Sequence, residues 1–539
     1  MPTPWWHGAV IYENHLPSLR DGSGDGIGDL EGLTQSLGYL SATLGIDAVW
    51  VGPFFKSPLL DQGFDVADYT QVDPVFGSIE SFDQLVAAAH TRGIKIIVDY
   101  IPNHTSDQHP WFVESRSSRT NPKREWYVWR DAKPGGGVPN NWTSEAGGSV
   151  WEWDEQTGQY YLHSHLKQQP DLNWRNAEVR AAMLDVLRFW LDRGADGVRI
   201  DVAHMLMKDP EFRDNPEAPE GNQNAFDLQH PDFGTQLHVF DRRHPDTQTV
   251  LAEIRTVVDH YPGAVTIAEI EAMSWQDWAA YYGVGLDGMH LPFPFRLLET
   301  PWRADRLRAE LDGLYASLPK GAWPIVALGN HDRERLAKRL GPKQARVAAV
   351  LLLTLAATPC LLYGDELGLI DQPVPLDRQR DYFARASGGV SRDSTRTPMP
   401  WNNGANFGFS SAPERQLWLP VDRNGADVNV EAQLCDPGSS LSLYRRLLRT
   451  RTNSTALRHG SIDFISSPSA KDVLAYARHE GDDHKVIALN LSDRAVTVDV
   501  GAVGTVLVCS TASANEPAGP VLELEPHQAV VIDVRGRRP

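Results

Sequence analysis

Carboxylate, carboxamide, imidazole and guanidinium side chains recur at the ends of short apolar runs in the first three quarters of the chain. They are Asp61, Asp65, Asp99, Asn103, His104, Arg199, Asp201, Glu269, His331 and Asp332. If those runs are the strands of one barrel, their carboxyl ends meet at a single mouth. Carboxylates crowded around one mouth shift each other's pKa values, so that one stays protonated while another stays ionised at neutral pH. Such a pair of carboxyl groups facing one pocket is what glycoside hydrolysis requires.

Arg199 and Asp201 are two residues apart in the run GVRID. Side chains at that spacing on a strand point to the same face. We therefore expect the guanidinium to lie beside the carboxylate, to orient it and to keep Asp201 ionised. A purely structural salt bridge is the alternative for this pair.

Eight short apolar runs can supply the strands that such a mouth needs. They span residues 9–12, 47–51, 94–100, 197–201, 265–269, 287–291, 324–330 and 359–365. Their unbroken apolar character is typical of parallel strands buried on both faces, and helical patterns such as 81–93 and 176–194 lie between them. The pattern favours an α/β fold, a (β/α)8 TIM barrel, over an open doubly wound sheet.

The chain divides into three predicted domains. Residues 1–103 and 174–460 form the barrel, and residues 104–173, after the third strand, form an inserted subdomain that is too long for a plain loop. Alternating strands between Gly, Asp and Pro turns predict a C-terminal antiparallel β-sandwich over 461–539. A polar stretch at 208–223 either narrows the mouth of the pocket or is a solvated surface loop.

Composition limits the class of partner. The chain has 539 residues, 51 Lys and Arg against 70 Asp and Glu, and a formal charge of −19. Such an acidic surface disfavours nucleic-acid and membrane-surface binding. The N-terminus has no signal-peptide pattern and no run is long enough to cross a bilayer. The 3 cysteines are far apart in the chain and suit a reducing compartment, so we expect a cytoplasmic monomer or homodimer that acts on a small molecule.

Six ordered sequence blocks resemble the alpha-amylase superfamily, family 13 of the glycoside hydrolases. They are GFDVADY, DYIPNHTS, QPDLNW, GVRIDVAH, AEI and GNHD. WWHGAVIY, QPDLN and RDSTRTPMPW make the chain most similar to the oligo-1,6-glucosidase and alpha-glucosidase branch. The resemblance runs from Trp5 to about Ser461.

The resemblance implies a retaining, exo-acting alpha-glucosidase that needs no cofactor for its chemistry. Asp201 would be the nucleophile, Glu269 the general acid/base and Asp332 the carboxylate that stabilises the transition state. Glu271 lies close enough to Glu269 in sequence to leave that assignment open. A transglucosidase, or an isomerase of the trehalose synthase or sucrose isomerase type, would use the same carboxylates. A non-catalytic relative, like the heavy chains of amino-acid transporters, is a further alternative.

The same resemblance implies a pocket for one glucose. The residues that would hold that glucose are Asp99, His104, Arg199 and His331. Asp61 and Arg396 resemble the pair that binds its 4-hydroxyl and closes the pocket, although Asp99 and His104 alone could simply cap a turn. Phe64 replaces the usual Tyr beneath the sugar. Aromatic residues of the insertion could also stack on sugars, but most are expected in its core: Trp142, Trp151, Trp153, Tyr160 and Tyr161.

Val202, directly after the proposed nucleophile, bears on linkage. In related glucosidases Val at this position tends to accompany alpha-1,6 cleavage, whereas Ala or Thr tends to accompany alpha-1,4 cleavage. Val fills space without offering a hydrogen bond, and Thr is nearly the same size but carries a hydroxyl. We therefore expect isomaltose-type linkages to be accepted.

The motif DGSGDGIGD, at residues 21–29, alternates acids with small residues. This pattern is typical of a loop whose oxygens bind Ca²⁺. The resemblance implies a structural Ca²⁺ or Mg²⁺ here, with ligands from Asp21, Ser23, Asp25, the carbonyl of Ile27 and Asp29. Ser23 replaces the usual Asn, and a turn without an ion is the alternative.

Overall fold

Eight parallel strands form a nearly closed barrel in the computed structural model, which describes residues 3–219, 232–387, 390–467, 469–511 and 516–534. The strands are β1 (Ile11–Asn14), β2 (Ala48–Val51), β3 (Lys95–Tyr100), β4 (Gly197–Ile200), β5 (Val265–Ile270), β6 (Leu291–Pro294), β7 (Ile325–Val326) and β8 (Thr358–Leu362). They pair in the order β6-β5-β4-β3-β2-β1-β8-β7, with β6 beside β7 at the seam. The predicted TIM barrel is therefore confirmed.

Helices follow the strands on the outside of the barrel. The α-helices are Leu16–Leu19, Leu30–Gly38, Ile79–Thr91, Pro110–Ser117, Ala177–Asp192, Thr247–Val258, Trp275–Ala279, Arg296–Glu299, Ala304–Ser317, Leu336–Leu340, Pro342–Thr354, Tyr382–Ser387, Val430–Cys435, Ser440–Thr452 and Thr455–His459. Asn176 caps Ala177–Asp192 by accepting a hydrogen bond from the Glu178 N–H, as Asn commonly does at a helix start. Within the described ranges, no helix is both long and apolar enough to cross a membrane.

The sixth strand lies further along the chain than its predicted range of 287–291. The residues before β6 fold back on the preceding helical turn, where the Gly288 N–H donates to the Tyr282 carbonyl and the Met289 N–H to the Tyr281 carbonyl. Gly283 has a φ of 76°, which glycine adopts without strain. The predicted range was wrong because this turn uses the residues that the apolar pattern had assigned to the strand.

The inward-facing positions of the barrel change from apolar to charged along each strand. An apolar cluster fills the interior, and it includes Ile11, Ala48, Trp50, Ile97, Ile267, Phe293 and Cys360. Because side chains alternate on a strand, the residue two positions after an inward apolar residue also faces inward. At the carboxyl ends these next positions are Glu13, Asp99 and Glu269, and Arg199 is in register with Asp99. The alternation therefore brings several charged groups to one end of the barrel.

The chain between β3 and β4 carries a small antiparallel sheet made of Trp129–Arg130, Gln159–Leu162 and Trp151–Asp154. Isolated bridges pair His104 with Asp171 and Tyr127 with Leu172. These bridges hold the two ends of the insertion together beside the carboxyl end of the barrel. Another short antiparallel pair, Phe55–Lys56 with Asp68–Val72, follows β2.

The C-terminal residues form a six-stranded antiparallel sheet and a two-stranded sheet. The larger sheet contains Ser461–Ile465, Val473–Glu480, Asp483–Asn490, Ala529–Val534, Gly504–Cys509 and Pro517–Ala518, and the smaller one pairs Val496–Asp499 with Val521–Leu524. Apolar side chains of both sheets pack into one cluster. This confirms a C-terminal antiparallel β-domain.

Candidate active site

A cavity of about 330 Å³ opens at the carboxyl end of the barrel. Its lining comes from the barrel strands, the insertion and the segment after β8, and it includes Asp61, Phe64, His104, Glu145, His165, Asp201, Val202, Glu269, His331, Asp332, Asp381 and Arg392. This volume lies at the lower end of the range for small-molecule pockets. Most of the side chains predicted for catalysis and sugar binding therefore line one pocket.

Arg199 is the centre of the charged cluster. One of its terminal nitrogens donates to Asp99 Oδ1 at 2.9 Å and to Asp201 Oδ1 at 2.7 Å. The other donates to Glu269 Oε2. The predicted shared face of Arg199 and Asp201 is confirmed, and one guanidinium orients three carboxylates. The indole of Trp50 adds a hydrogen bond to Asp99 Oδ2 at 3.1 Å.

Burial separates the carboxyl groups in their tendency to ionise. It raises the pKa of Glu269 to about 7, with Asp201 and Asp332 adding to the effect and Arg199 opposing it. Burial also raises the pKa of Asp201 above its ordinary value, despite the Arg199 guanidinium. Desolvation thus outweighs the ion pair in the direction of the shift, while Arg199 still favours the ionised form of Asp201 that the sequence predicts.

Asp332 has the opposite environment. Burial favours its neutral form, but His331, Arg392 and Arg396 outweigh burial and hold its pKa well below the ordinary range. Its Oδ1 accepts hydrogen bonds from Arg392 at 3.1 Å and from Arg396 at 2.7 Å. The pocket thus contains one carboxylate that is held as an anion and one carboxyl, Glu269, that titrates near neutrality.

The predicted pairing of Asp61 with Arg396 was wrong. Asp61 Oδ1 accepts a hydrogen bond from Arg392 at 2.9 Å. Arg396 is fully buried behind the pocket wall and donates to the His331 carbonyl and to Asp332. Because the helical turn Arg392–Ser394 separates the two arginines, only Arg392 reaches the cavity. Arg392 also donates to Asp381 at 2.8 Å, which the sequence reasoning did not identify.

Phe64 and His104 lie on the same wall as Asp61. The Phe64 ring stacks on His331 with their centroids 5.7 Å apart and an interplanar angle of 12°. His104 Nε2 is 3.2 Å from the Phe64 carbonyl oxygen. Gln169, from the QPDLNW block, donates to Asp61 Oδ2 at 3.0 Å. The structure therefore brings the predicted sugar-binding residues together, with Arg392 in place of Arg396.

Val202 has an unusual backbone for a β-branched residue. Its φ is 36° and its ψ is 46°, in the left-handed region that such side chains rarely adopt. Its N–H donates to Glu269 Oε2 at 3.3 Å, and its side chain lines the cavity. Strained conformations of this kind cluster at functional sites. The turn after β4 therefore places Val202 beside both Asp201 and Glu269.

Glu271 also lines the cavity, but two arginines hold its side chain. It accepts hydrogen bonds from Arg242 at 3.0 Å and from Arg243 at 3.3 Å. Although burial opposes ionisation, His204 and these arginines hold its pKa well below the ordinary value. A carboxylate held this way is poorly suited to exchange protons near neutrality. The geometry thus favours Glu269 over Glu271.

Two lining residues of the insertion were missed by sequence reasoning. His165 Nε2 is 3.4 Å from Glu145 Oε2, and the His165 ring centroid is 4.8 Å from that of His104. Arg242 donates to Glu145 at 2.8 Å. The HSH run before QPDLNW was the available signal, but nothing in its spacing distinguished a pocket residue from a core residue.

The other expectations for the insertion and its neighbourhood have different outcomes. Trp142 and Trp151 are buried and pack against Phe212. Trp142 also donates to the Arg213 carbonyl at 2.8 Å. The described part of the polar stretch, 208–219, is therefore docked on the insertion and supplies no residue to the cavity lining. Residues 220–223 of that stretch lie outside the described residues. Trp153, Tyr160 and Tyr161 are also absent from the lining.

The loop at 21–29 uses its carboxylates to close on itself. Asp21 accepts hydrogen bonds from the N–H groups of Gly24 and Gly26. Asp29 accepts from Gly22 and Ser23 and also caps the helix Leu30–Gly38. Its oxygen donors suit a hard cation chemically. Across the residues that the structure describes, however, no three His, Cys, Asp or Glu side chains are gathered as a metal site.

Comparisons with known proteins agree with this geometry. The model of the alpha-amylase catalytic domain matches residues 15–460. A probable alpha-glucosidase of Rhizobium meliloti (strain 1021) is 39% identical over 515 residues, which cover 92% of this chain and 91% of the relative. An oligo-1,6-glucosidase of Heyndrickxia coagulans is 34% identical over 537 residues, covering 92% and 94%. The alpha-glucosyl transfer enzyme XgtA, which has a crystal structure, is 38% identical in sequence to this chain. The two structures match with a TM-score of 0.92, and the match covers 99% of this chain and 100% of XgtA.

Proposed function

The chain belongs to the alpha-amylase family and is a glycoside hydrolase of the alpha-glucosidase type, and from that premise we propose that it removes terminal glucose from short alpha-glucosides by a retaining mechanism. The observation that carries this proposal is the single guanidinium of Arg199 bound to both Asp201 and Glu269. Two carboxyl groups that share one guanidinium lie close together, which favours the short carboxyl separation of a retaining enzyme over the wider separation of an inverting one.

In the proposed mechanism Asp201 attacks the anomeric carbon while Glu269, protonated, gives its proton to the leaving oxygen. The bond from carbon to the leaving group breaks, and a covalent glucosyl–Asp201 ester forms. Glu269, now ionised, then accepts a proton from water as the water attacks the anomeric carbon and releases Asp201. A pKa of about 7 for Glu269 suits a group that must act first as acid and then as base.

Asp332 stabilises the positive charge that develops on the sugar in this mechanism. Its low pKa keeps it ionised throughout the physiological range, and an anion placed beside a developing cation lowers the barrier. Arg392 and Arg396 bind its Oδ1, and His331 lies beside its Oδ2, so its position is fixed. The role of Asp332 is therefore electrostatic, with no proton transferred.

The contact between Asp61 and Arg392 supports exo action. These side chains meet at 2.9 Å, and Gln169 braces Asp61 from behind. A charged wall with oriented donors and acceptors can bind the 4-hydroxyl of a terminal glucose and prevent a longer chain from passing. We therefore assign to Arg392 the part that the resemblance had suggested for Arg396.

Product analysis tests this proposal directly. Maltose, isomaltose, sucrose and trehalose are supplied separately, and the first product anomer is followed by proton NMR. We expect release of alpha-glucose before mutarotation, and no internal cleavage of a longer oligosaccharide. Initial release of beta-glucose would contradict the retaining mechanism, and internal fragments would contradict exo action.

Transfer of glucose to an acceptor other than water is a second candidate function. It is supported by the similarity to the alpha-glucosyl transfer enzyme XgtA, and both reactions share the same glucosyl–enzyme intermediate. The two are separated by measuring glucose and transfer product together while the concentration of a sugar or alcohol acceptor is raised. Hydrolysis predominates if glucose release stays unchanged, and transfer predominates if the new glucoside replaces glucose.

We propose that alpha-1,6 linkages are accepted, because the Val202 side chain faces the cavity next to Asp201 and Glu269. An apolar, β-branched group at that point offers no hydrogen bond to the leaving sugar. A methyl-for-hydroxyl difference of this kind is worth roughly 1–3 kcal/mol in discrimination. This is enough to bias linkage preference without making it absolute.

For the loop at 21–29 we propose a structural Ca²⁺ or Mg²⁺ with no part in the chemistry. Its support is the set of oxygen donors from Asp21, Ser23, Asp25, Ile27 and Asp29. Binding would require the carboxylates to share oxygens now used by backbone N–H groups. We therefore expect a modest contribution to stability rather than a tight site.

We also propose a cytoplasmic location and a monomeric or homodimeric state. Cys360, Cys435 and Cys509 are all free thiols, which suits a reducing compartment. Cell fractionation tests the location, and light scattering coupled to gel filtration tests the assembly. Recovery outside the cytoplasm, or a tetramer, would contradict these proposals.

A further inference from the structure

Both ring nitrogens of His331 face carboxylate oxygens. Nδ1 is 2.6 Å from Glu13 Oε1, and Nε2 is 3.2 Å from Asp332 Oδ2. We propose that Glu13 is a positioning residue that holds His331 as a doubly protonated imidazolium against Asp332 and the bound sugar. The proposal rests on the proposed function only for the sugar's presence, since the arrangement of the three side chains stands by itself.

Glu13 is built into the barrel to reach this histidine. It is the third residue of β1, two positions after the inward-facing Ile11, and it is 1% exposed. Its Oε1 accepts from the ring of His331 and also from the backbone N–H of His331 at 3.2 Å. One oxygen therefore fixes both the loop after β7 and the orientation of the ring.

The chemistry of the partners determines the state of the ring. An ionised carboxylate only accepts hydrogen bonds, whereas a neutral imidazole has one donor and one acceptor nitrogen. A histidine between two carboxylates satisfies both only if both nitrogens carry protons. A ring without a second proton would leave one carboxylate facing a lone pair at short distance, which is unfavourable in a buried site.

Other charged groups around His331 oppose or reinforce this state. Asp99 on β3 interacts favourably with it, and Arg396, on the segment after β8, acts against its charge. His15, after β1, is itself kept neutral by burial, which with Arg396 and His331 lowers its pKa. Burial alone would lower the pKa of His331, but Asp332 and Glu13 together raise it above the ordinary value.

A third carboxyl group, that of Asp365, lies near Glu13. Burial raises the pKa of Asp365 to about 7, and Glu366 and Glu13 add to that effect. Asp365 can therefore take up a proton near neutrality, which relieves its repulsion with Glu13.

A fixed imidazolium has two consequences for the pocket. Since Nδ1–H is committed to Glu13, the Nε2–H is the donor that Asp332 and a sugar hydroxyl share. The positive charge of the ring also strengthens that hydrogen bond, because charge-assisted bonds are roughly twice as strong as neutral ones. Glu13 thus acts on the sugar through His331 without touching it.

Nuclear magnetic resonance of histidines labelled with ¹⁵N tests the proposal without using activity. The His331 signal is assigned with His331→Gln, and its titration is followed in wild type, in Glu13→Gln and in the control Glu366→Gln. Glu366 is an equally buried carboxylate that binds the hydroxyls of Tyr12 and Tyr39. We expect both nitrogens of wild-type His331 to be protonated at pH 7, and Glu13→Gln to lower its pKa by about one unit or more. Glu366→Gln should leave the titration unchanged.

The pH profile of activity supplies a second measurement. For an alpha-glucosyl fluoride, kcat/KM should decrease at alkaline pH, and in Glu13→Gln we expect this decrease to begin at a lower pH than in wild type. This substrate has a good leaving group, so its first step depends little on the proton of Glu269. We expect roughly a tenfold loss at pH 8 and a smaller loss at pH 6. Glu366→Gln should show the wild-type profile.

Several results would overturn the proposal. A neutral His331 in wild type at pH 7 would do so even if no variant folds. A Glu13→Gln variant that folds and loses activity equally at every pH, with the His331 titration unchanged, would reduce Glu13 to a structural part. In either case an active wild-type enzyme would leave the proposed function intact, so the two failures are distinguishable.

Discussion

Replacing Arg392 by lysine tests which arginine closes the sugar pocket. The guanidinium contacts Asp61 at 2.9 Å, Asp332 at 3.1 Å and Asp381 at 2.8 Å. Lysine keeps the positive charge but presents a single nitrogen, so it cannot hold all three carboxylates in place. Asp332 keeps Arg396 and Asp61 keeps Gln169 as partners, and we therefore expect Arg392→Lys to fold.

The expected loss follows from the hydrogen bonds that would be disturbed. A hydrogen bond to a charged group contributes about 1.5–3 kcal/mol, which corresponds to roughly a 10- to 150-fold decrease in kcat/KM. The assay uses 4-nitrophenyl alpha-glucoside and its 4-deoxy analogue. In wild type, kcat/KM should be lower for the 4-deoxy substrate than for the parent substrate by a similar factor. Arg392→Lys should lose much less when the hydroxyl is removed, because the same interaction is already gone.

Two controls make this comparison decisive. Arg415→Lys, at an exposed position, should behave as wild type. Arg396→Lys should lower the melting temperature, since Arg396 is fully buried, but should keep the wild-type penalty for the 4-deoxy substrate. The assignment of Arg392 as the closing arginine is refuted if Arg392→Lys loses the same factor in kcat/KM on the 4-deoxy substrate as wild type does. It is also refuted if Arg396→Lys, rather than Arg392→Lys, removes that loss.

Four further predictions concern the reaction, its pH dependence, linkage and stability. Asp201→Asn should lower kcat roughly 1,000-fold or more without changing the fold measured by circular dichroism, and a correctly folded variant that keeps a tenth of the activity would refute the nucleophile. The kcat/KM for maltose should decrease as pH rises above about 7, where Glu269 loses its proton. This alkaline decrease should be absent in Glu269→Gln when the rate is measured with a substrate whose leaving group needs no protonation. Val202→Thr should shift the ratio of kcat/KM for isomaltose to that for maltose toward maltose by roughly tenfold; an unchanged ratio, or a wild type inactive on isomaltose, would count against the linkage proposal. Chelation with EDTA should lower the melting temperature while leaving initial rates nearly unchanged, whereas immediate inactivation reversed by Ca²⁺ would give the cation a part in the chemistry.

Most of the barrel and the core of the site could be predicted from sequence because both depend on local periodicity. Apolar runs mark the strands, and the two-residue alternation places Asp99, Arg199 and Glu269 on the inner face. The β6 range was misplaced because a turn of backbone hydrogen bonds, rather than side-chain pattern, decides where that strand begins. Local signals thus located the elements and most of the charged residues.

Contacts between distant segments could not be predicted in the same way. Arg392 and Arg396 belong to one short block, and only the path of the chain over the barrel decides which one reaches Asp61. Glu145 and His165 come from an insertion with no regular period, so their place at the pocket depended on its packing. The pKa of Asp201 likewise depends on how far burial offsets the effect of Arg199. The spacing of these residues in the sequence does not reveal that balance.

The wall formed by Asp61 and Arg392 has a consequence for the order in which the protein becomes functional. These residues are 331 positions apart in the chain, and Glu13 and His331 are 318 apart. During synthesis the N-terminal strands are made first, so a nascent chain presents half of the pocket long before the other half leaves the ribosome. Binding of glucose therefore reports completion of the barrel. Glucose or a tight pocket-directed inhibitor should stabilise only chains that extend past Arg392, which makes such a ligand a probe of late folding steps.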